Sequence, residues 1–223
     1  MPSKTIENYL KQLYLEQQSA PAKPVAMGKL ASAMNVVPGT ATTMVKALAD
    51  SGLVRYEPRT GVKLTEAGRQ LALHVLRRHR LVELFLVQVV GLDWSEVHDE
   101  AEELEHAISD KLLERIDTLL GHPTVDPHGD PIPTAAGELA DAHLHSFVTC
   151  QTNSPQTIAR VLDQNTGFLK FVNSAGLTPG TQLEVIDRDD QADSVRVRPR
   201  GKKTMTISTS AAAKFLVKPT RGR

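Results

Sequence analysis

Residues 24–39 read Pro24-Val-Ala-Met-Gly-Lys-Leu-Ala-Ser-Ala-Met34-Asn-Val-Val-Pro-Gly39. Apolar residues recur at helical spacing up to Met34, and the Asn, Pro and Gly that follow predict a turn. Residues 40–51 form a second amphipathic segment, which we expect to be a helix that ends at Gly52. Residues 53–64 predict two short strands around a Pro/Gly turn. This order of helix, turn, helix and hairpin is typical of a winged helix-turn-helix that binds DNA.

The second helix of such a module carries the side chains that reach the DNA bases, and its start is rich in threonine here. Threonine offers few bidentate contacts to bases, so we expect methyl contacts to thymine and recognition of DNA shape to contribute. An alternative stays open, in which these threonines only favour the start of the helix. Basic side chains of the hairpin are expected to contact phosphates. The candidate DNA-contacting residues are Pro38, Gly39, Thr40, Thr42, Thr43, Lys46, Arg55, Arg59 and Lys63.

Charge divides the chain into three parts, although the formal net charge of all 223 residues is zero. Residues 1–69 sum to +4, residues 70–133 to −8 and residues 134–223 to +4. A basic first part suits contacts with DNA phosphates, whereas an acidic middle part suits bound cations and repels DNA. We therefore expect the first part to bind DNA and the second to bind cations.

The middle part contains a predicted helix that includes His98-Asp-Glu-Ala-Glu102-Glu-Leu-Glu105-His106. At about 100° per residue, both histidines and two of the glutamates border the apolar stripe that faces the core. Nitrogen and oxygen donors together suit a divalent first-row metal ion. The preceding predicted helix adds a histidine and a glutamate four residues apart. The candidate ligands of this part are His79, Glu83, His98, Glu102, Glu105 and His106. A solvated acidic helix without a metal is the alternative that the pattern leaves open.

Composition excludes several classes of protein. With 40% hydrophobic residues, the chain can hold two compact domains or three small ones. No run of 18 apolar residues exists and no signal peptide is recognisable, so we expect a cytoplasmic protein without membrane contact. Cys150 is the single cysteine, which excludes an intramolecular disulfide and a cysteine-based zinc site.

The other segments predict a mainly helical chain with a β-rich tail. Helical spacing indicates a first helix over residues 4–18, a long helix from Thr65 toward Leu86, and another over residues 109–120. Residues 121–134 hold four prolines and two glycines, which predicts an extended loop. Strands are predicted at residues 183–187, 194–198, 204–208 and 215–217, and they suggest a small β-barrel of SH3 type.

Three runs of the middle part carry more specific motifs: Arg77-Arg-His79-Arg-Leu-Val-Glu83, Gly91-Leu-Asp-Trp-Ser-Glu-Val-His98-Asp-Glu-Ala-Glu102-Glu-Leu-Glu105-His106-Ala-Ile-Ser-Asp110, and Pro127-His-Gly-Asp-Pro-Ile-Pro133. With these motifs the chain resembles the diphtheria-toxin-repressor family of iron- and manganese-dependent transcriptional regulators, and specifically its three-domain members. The resemblance implies a winged helix-turn-helix domain over 1–69, a helical metal-binding and dimerisation domain over 70–134, a linker over 135–155 and an SH3-like domain over 156–223.

The resemblance also implies a primary metal cluster of Glu102, Glu105 and His106, with a further ligand from the first helix at the position of Asn8. Relatives that sense iron place a thioether at the latter position and a thiol at that of Glu102, whereas relatives that sense manganese place carboxylates at both. The chain has the manganese-type Glu102 but a neutral amide at Asn8. Lys11 stands where manganese-type relatives carry a second carboxylate, and its ammonium repels a nearby cation. We therefore predict that Lys11 excludes a closely spaced second ion.

A second implied cluster combines His79, Glu83 and His98, as in the ancillary site of the iron-type members. That site normally takes ligands from the third domain as well, and the nearest candidates here are Asp163 and Gln164. None of the candidate ligands in either cluster carries sulfur. Oxygen-rich coordination favours Mn²⁺, with Fe²⁺ second.

The predicted function is that of a metal-dependent transcriptional regulator, most simply a repressor, which binds double-stranded operator DNA as a homodimer with Mn²⁺ or Fe²⁺ as co-repressor. The apolar stretch 84–90 supplies either a dimer interface or only core. Two alternatives remain, a metal-independent winged-helix regulator and a metal-dependent hydrolase. We expect no enzyme, because the sequence contains no His-Glu-x-x-His run, nucleophile elbow or phosphate-binding loop.

Overall fold

The computed structural model describes residues 3–18, 20, 22–140 and 143–220. The chain divides into two units, each of which gathers several segments. The first unit comprises Met1–His79, Leu104–Ser109 and Pro133–Leu139, and the second comprises Arg80–Glu103, Asp110–Ile132 and Ala140–Arg223. Residues 141–142 of the predicted linker and 221–223 of the predicted SH3-like domain lie outside the described residues.

The first unit contains the predicted winged helix-turn-helix. Its elements are α1 (Lys4–Gln18), α2 (Met27–Ala33), α3 (Pro38–Asp50), β1 (Val54–Glu57), β2 (Gly61–Leu64) and the first part of α4 (Glu66–Phe85). Helix α2 begins later than predicted because Val25 forms a β-bridge with Val62. Helix α3 begins earlier than predicted, at Pro38, since proline at the first helical position has a suitable φ and needs no partner for a backbone N–H. The two strands pair antiparallel, with Val54 opposite Leu64.

One apolar core joins α1 to the winged-helix elements. Its fully buried members include Leu10, Leu13, Leu30, Val45, Val62 and Leu73. Burying one such side chain contributes about 1.5–3 kcal/mol. Two of these leucines belong to α1, so this helix is held firmly to the DNA-binding elements. A ligand that binds a polar side chain of α1 is therefore also linked to the DNA-binding elements.

The helices of the second unit differ from prediction at their ends. Helix α4 is followed by a π-helical turn, Leu86–Val90, which ends where Gly91 takes a left-handed φ of 85°. Helix α5 (Val97–Leu104) is shorter than predicted, and α6 spans Asp110–Leu119. Glu105 and His106 lie in the turn after α5, so the prediction that one helix carries all four metal-ligand candidates is wrong. The chain turns where the backbone amides of Ala107 and Ile108 both donate to the carbonyl oxygen of Leu104.

The C-terminal part of the second unit is a small β-domain, as predicted. Its strands are β3 (His145–Ser146), β4 (Pro155–Val161), β5 (Gln182–Asp189), β6 (Ser194–Pro199), β7 (Met205–Ser208) and β8 (Phe215–Pro219), with two helices, α7 (Thr166–Ala175) and α8 (Thr209–Ala212). The antiparallel sheet has the order β3-β8-β4-β5-β6-β7. Helix α7 was not predicted, although Asn165 caps its start and Gly176 ends it with a φ of 67°.

The predicted linker 135–155 is partly structured. It contains β3, and Phe147 is fully buried in the core of the β-domain, where its ring stacks on that of Phe215 with the centroids 4.8 Å apart. Cys150 is buried in the same core. The Ala-rich composition concealed these two anchoring side chains. Within the described ranges, no helix combines the length and the apolar character needed to cross a bilayer.

Candidate metal centre

The first unit brings Glu105 together with two cationic or ionisable partners. Lys11 donates to both carboxylate oxygens of Glu105, at 2.7 Å and 3.0 Å, and Nδ1 of His79 lies 2.7 Å from Oε2. Glu105 is fully buried, and burial raises the pKa of a carboxyl group. The hydrogen bond of His79 and the charge of Lys11 outweigh that effect, so the pKa of Glu105 lies below its ordinary value. The carboxylate is therefore held in its ionised, metal-binding form.

His106 lies beside Glu105 and faces α1. Its Nε2 is 3.2 Å from Oε1 of Glu105 and 2.8 Å from Oδ1 of Asn8, while its Nδ1 is 2.6 Å from Oε2 of Glu7. Three residues of the implied primary cluster, Asn8, Glu105 and His106, are thus brought together in one unit. We refer to these three residues as the primary centre. An amide oxygen, a carboxylate and an imidazole are donors that a divalent first-row cation accepts.

Glu7 is a residue of this region that sequence reasoning missed. It is only 6% exposed, and it precedes Leu10 and Tyr14 on the buried face of α1. A signal was present, because positions 7, 10 and 14 follow helical spacing and an acidic residue therefore occupies a place in the apolar stripe.

The second unit contains the predicted ligands Glu83, His98 and Glu102, whereas His79 belongs to the first unit. Nδ1 of His98 lies 3.3 Å from Oε1 of Glu83, and Nε2 of His98 lies 3.7 Å from Oε1 of Glu102. Glu83 is fully buried, whereas the His98 side chain is 45% exposed. Glu83, His98 and Glu102 thus form a partly accessible group of donors on α4 and α5.

A further cluster in the second unit was not predicted. Glu83, Asp126 and His128 are all buried, and each places one possible ligand atom within 4.8 Å of the others. Nε2 of His128 is 2.9 Å from the carbonyl oxygen of Trp94, to which it donates when protonated. This hydrogen bond leaves Nδ1 as the ring atom with a lone pair, 3.8 Å from Oε2 of Glu83. Among the described residues Nδ1 has no hydrogen-bond partner, which fits a ligand atom.

Three carboxylates, those of Glu83, Asp126 and Asp130, lie close together at this cluster. Burial, followed by the negative charges of Asp130 and Glu83, raises the pKa of Asp126 well above its ordinary value. Arg80 opposes the effect only in part, with its Nε 3.7 Å from Oδ2 of Asp126. Arg160 forms an ion pair with Asp130. A bound dication would relieve the repulsion between the carboxylates, so the donor set and its charge fit a metal ion.

The loop that carries Asp126 and His128 is fixed against strand β4. Gly129 has a φ of 86°, and a Cβ there would collide with the carbonyl oxygen of Ala159. The backbone amide of Val161 donates to the carbonyl oxygen of His128 at 2.9 Å. The sequence predicted an extended loop here, and a loop has no periodicity that would show which side chains point inward.

The two residues expected from the third domain take different positions. Gln164 donates to Oδ2 of Asp130 at 2.8 Å and so reaches the edge of the cluster. Asp163 accepts from Lys214 at 2.6 Å. Burial raises the pKa of Asp163, but the hydrogen bond from Lys214 dominates, and the pKa lies below its ordinary value.

Comparison with known proteins divides the chain among three family models. Residues 1–62 match the iron dependent repressor N-terminal DNA binding domain, residues 65–134 match the iron dependent repressor metal binding and dimerisation domain, and residues 148–219 match the FeoA domain. The chain belongs to the iron-dependent repressor family. It is a metal-dependent transcriptional repressor of the diphtheria-toxin-repressor type, as the motifs predicted.

Relatives of this repressor family are similar over most of the chain. The iron-dependent repressor IdeR of Mycobacterium tuberculosis (strain ATCC 25618 / H37Rv) is 38% identical over 195 residues, which cover 81% of this chain and 83% of IdeR. The diphtheria toxin repressor of Corynebacterium diphtheriae is 30% identical and covers 83% of this chain and 85% of its own length.

Solved structures of related repressors have the same fold. A manganese-dependent transcriptional repressor in complex with manganese is 36% identical, with a TM-score of 0.86, and the match covers 96% of this chain and all of that one. ScaR with bound Cd²⁺ is 30% identical, with a TM-score of 0.81, over 98% of this chain and all of that one.

The candidate DNA-contacting residues of the repressor lie on α3 and on the β1–β2 hairpin that follows it. Thr42 and Thr43 use their hydroxyl groups to donate to the carbonyl oxygens of Pro38 and Gly39 within α3, at 2.8 Å and 3.1 Å. The exposed members of the predicted set are Pro38, Gly39, Thr40, Thr43, Lys46, Arg55 and Arg59, while Thr42 and Lys63 are half-buried. Lys63 donates to the carbonyl oxygen of Ala22.

Proposed function

We propose that this repressor is activated by Mn²⁺, with Fe²⁺ as the second choice, and that it then binds double-stranded operator DNA as a homodimer. The observation that supports this most directly is the primary centre. There, Asn8 of α1 meets Glu105 and His106 of the turn after α5. The family resemblance adds Glu102 to the proposed donor set. These oxygen-rich donors favour Mn²⁺ over softer metals.

The primary centre explains how a metal ion changes DNA binding. Helix α1 is packed into the core of the winged helix, so an ion bound to Asn8 and to the turn at Glu105 and His106 fixes the DNA-binding elements relative to that turn. An ion that binds the DNA-competent arrangement more tightly shifts the population toward it. Helix-turn-helix dimers require a set half-site spacing of about 34 Å or its multiples, so small changes in module position alter affinity.

A second metal site is proposed in the second unit. Glu83, Asp126 and His128 supply two carboxylates and an imidazole, and Glu83 also lies 3.3 Å from His98 of the predicted ancillary set His79, Glu83 and His98. Asp163 and Gln164 are not proposed as ligands, because Asp163 pairs with Lys214 and Gln164 donates to Asp130. The proposed domains are 1–69 for DNA, 70–134 for metal and dimerisation, and 156–223 for the SH3-like part.

Two further points support the proposal. The match to a dimerisation domain over residues 65–134 and the exposed apolar side chains Val89, Val90 and Leu92 favour a homodimer. Operator binding requires access to chromosomal DNA, which favours a cytoplasmic location. A role as repressor rather than enzyme follows the family, whose members are DNA-binding regulators.

A gel shift in three conditions tests the proposed function. DNA selected by the protein from a random pool should be retarded with Mn²⁺ or anaerobic Fe²⁺, and released when a chelator is added. Retardation that survives the chelator would favour the metal-independent regulator. Metal-dependent cleavage of the DNA would favour the hydrolase.

Arg55→Ala is expected to weaken DNA binding to all sequences about equally. Arg55 is exposed on β1 of the wing, where a phosphate contact is predicted. A homodimer would lose two phosphate contacts, one per protomer, so the slope of log affinity against log salt should fall by about 2 in magnitude. Fluorescence anisotropy at several salt concentrations measures both quantities. Arg196→Ala removes an exposed arginine of β6 and should leave both the affinity and the slope unchanged. An unaltered slope in Arg55→Ala would contradict the phosphate contact of Arg55.

Asp126→Asn is expected to raise the Tm of the metal-free protein at neutral pH. Folding raises the pKa of Asp126. Its contribution to the free energy of unfolding is therefore favourable below the unfolded-state pKa of about 4, and that contribution is lost as pH rises through the folded-state pKa. The amide of Asn cannot ionise, so the substitution removes the repulsion between the carboxylates. Tm should rise by about 2–4 °C for each kcal/mol of repulsion removed, and this rise should become smaller as pH falls toward 4.

Calorimetry with and without Mn²⁺ completes that test. Mn²⁺ should stabilise the wild-type protein more than Asp126→Asn, because the variant lacks one anionic ligand. Asp99→Asn, which changes an exposed carboxylate of α5, serves as the control and should alter neither value. A lower Tm of metal-free Asp126→Asn at neutral pH would contradict the repulsion described for this cluster.

A further inference from the structure

Glu7 is a buried carboxylate for which the proposed function has no role. It is 6% exposed, and a buried carboxylate is costly unless charged or hydrogen-bonding partners surround it. Glu7 has two such partners in the first unit. Oε2 lies 2.6 Å from Nδ1 of His106, and Oε1 lies 3.9 Å from Nη1 of Arg78, which is itself buried. The three side chains form a chain of contacts from Arg78 through Glu7 to His106.

The two ring nitrogens of His106 face different groups. Nδ1 faces Glu7, whereas Nε2 faces Asn8 and Glu105, the other members of the primary centre. A neutral imidazole carries one proton, and the hydrogen bond made by one nitrogen determines which nitrogen keeps the lone pair. A carboxylate accepts but does not donate, so Glu7 requires the proton on Nδ1. Nε2 faces the acceptor oxygens of Asn8 and Glu105, so a metal ion that binds there replaces any proton on Nε2, while the hydrogen bond with Glu7 keeps the other proton on Nδ1.

We propose that Glu7 is a positioning residue, which holds His106 in the tautomer and orientation that presents Nε2 to the metal ion. The inference rests on the proposed function, because it needs a metal ion at the primary centre. Direct ligation by Glu7 at the primary centre is disfavoured, since its oxygen contacts Nδ1, whereas Asn8 and Glu105 lie on the Nε2 side of the ring. Carboxylates behind histidine ligands raise the basicity of the ring, and their loss typically costs about 10- to 100-fold in metal affinity.

The first measurement is isothermal titration of Mn²⁺ into chelator-treated full-length protein. Glu7→Met keeps the approximate length of the side chain but removes the acceptor, so it should weaken binding at the primary centre by about 10- to 100-fold. Glu7→Gln keeps a neutral acceptor and should fall between wild type and Glu7→Met. Glu16→Met removes a carboxylate from the same helix that pairs with Lys29 instead, and it should bind Mn²⁺ as wild type does.

The second measurement is ¹⁵N NMR of the His106 ring in protein loaded with Zn²⁺, a diamagnetic ion that imidazole and carboxylate donors also bind. A purely structural role for Glu7 would not move this signal. In wild-type protein Zn²⁺ should bind Nε2 while Nδ1 keeps its proton, and Glu7→Met and Glu7→Gln should lower the population of this form. The Gln variant preserves the side-chain shape and covers the case in which the Met variant does not fold.

The outcomes separate this inference from the proposed function. Wild-type protein that binds no Mn²⁺ would overturn both. Wild-type binding that depends on His106 but is unchanged in Glu7→Met and Glu7→Gln would overturn the positioning role alone. Zn²⁺ bound through Nδ1 of His106 in the wild-type protein would also overturn it.

Discussion

Substitution of His106 by alanine is expected to lower the affinity for Mn²⁺ by about 100-fold or more and to abolish metal-activated operator binding at moderate metal concentrations. Loss of a residue behind a ligand already costs about 10- to 100-fold, so loss of the ligand itself should cost at least as much. The fold should persist, because His106 lies in a turn outside the apolar core of the first unit. Anisotropy of labelled operator DNA, with Mn²⁺ as the titrant, measures the activation midpoint.

His145→Ala is the matched control for that experiment. His145 is an exposed histidine of β3 in the β-domain, and its removal should leave the activation midpoint unchanged. A midpoint of His106→Ala that equals the wild-type value would remove His106 from the ligand set. DNA binding by metal-saturated protein should be compared at the same salt concentration, because salt alone changes the affinity for DNA.

Lys11→Glu is expected to have the second large effect, which is the creation of a second ion site beside Glu105. In the wild-type protein the ammonium of Lys11 contacts both oxygens of this carboxylate, and a positive charge at that place repels a second cation. The substitution replaces the ammonium with another carboxylate. Removal of one partner from a buried ion pair costs about 3–5 kcal/mol, so the metal-free variant should unfold at lower temperature.

Isothermal titration and manganese EPR should then show the gain. The variant should bind one more Mn²⁺ per chain than wild type, with magnetic coupling typical of two ions about 4 Å apart. Mn²⁺ should also restore much of the lost Tm. Lys29→Glu makes the same charge change in an exposed ion pair of α2 and should add no site. Two coupled ions in the wild-type protein would contradict the exclusion by Lys11.

The sequence was sufficient for the modular fold because each module shows a local pattern. The helices of the winged helix and the strands at residues 183–217 follow periodicities of 3.6 and 2, and Pro and Gly mark the turns between them. Helix α7 also had local signals, Asn165 at its start and Gly176 at its end, but no element was predicted over residues 156–182, so β4 and α7 were both missed.

The metal centre was only partly predictable, because its contacts join residues far apart in the chain. Asn8 and His106, and likewise Lys11 and Glu105, are separated by more than 90 residues, and no periodicity relates them. Their pairing was available only through the family resemblance. Glu7 interrupts an apolar stripe on α1, which was a usable signal.

The cluster around Asp126 and His128 left no signal of its own. Both residues lie in a loop whose inward side chains are determined by packing against β4, and Gly129 shows the closeness of that contact. The end of α5 at Leu104 was equally hidden, since the residues after it have ordinary helix propensities.

Anomalous X-ray diffraction from crystals of the full-length protein loaded with Mn²⁺ tests the central claim most directly. We predict a manganese peak within bonding distance of Oδ1 of Asn8, a carboxylate oxygen of Glu105 and Nε2 of His106, with no second peak beside Lys11. A Mn²⁺-loaded crystal in which these three side chains bind no manganese, while the ion lies elsewhere in the molecule, would contradict the account.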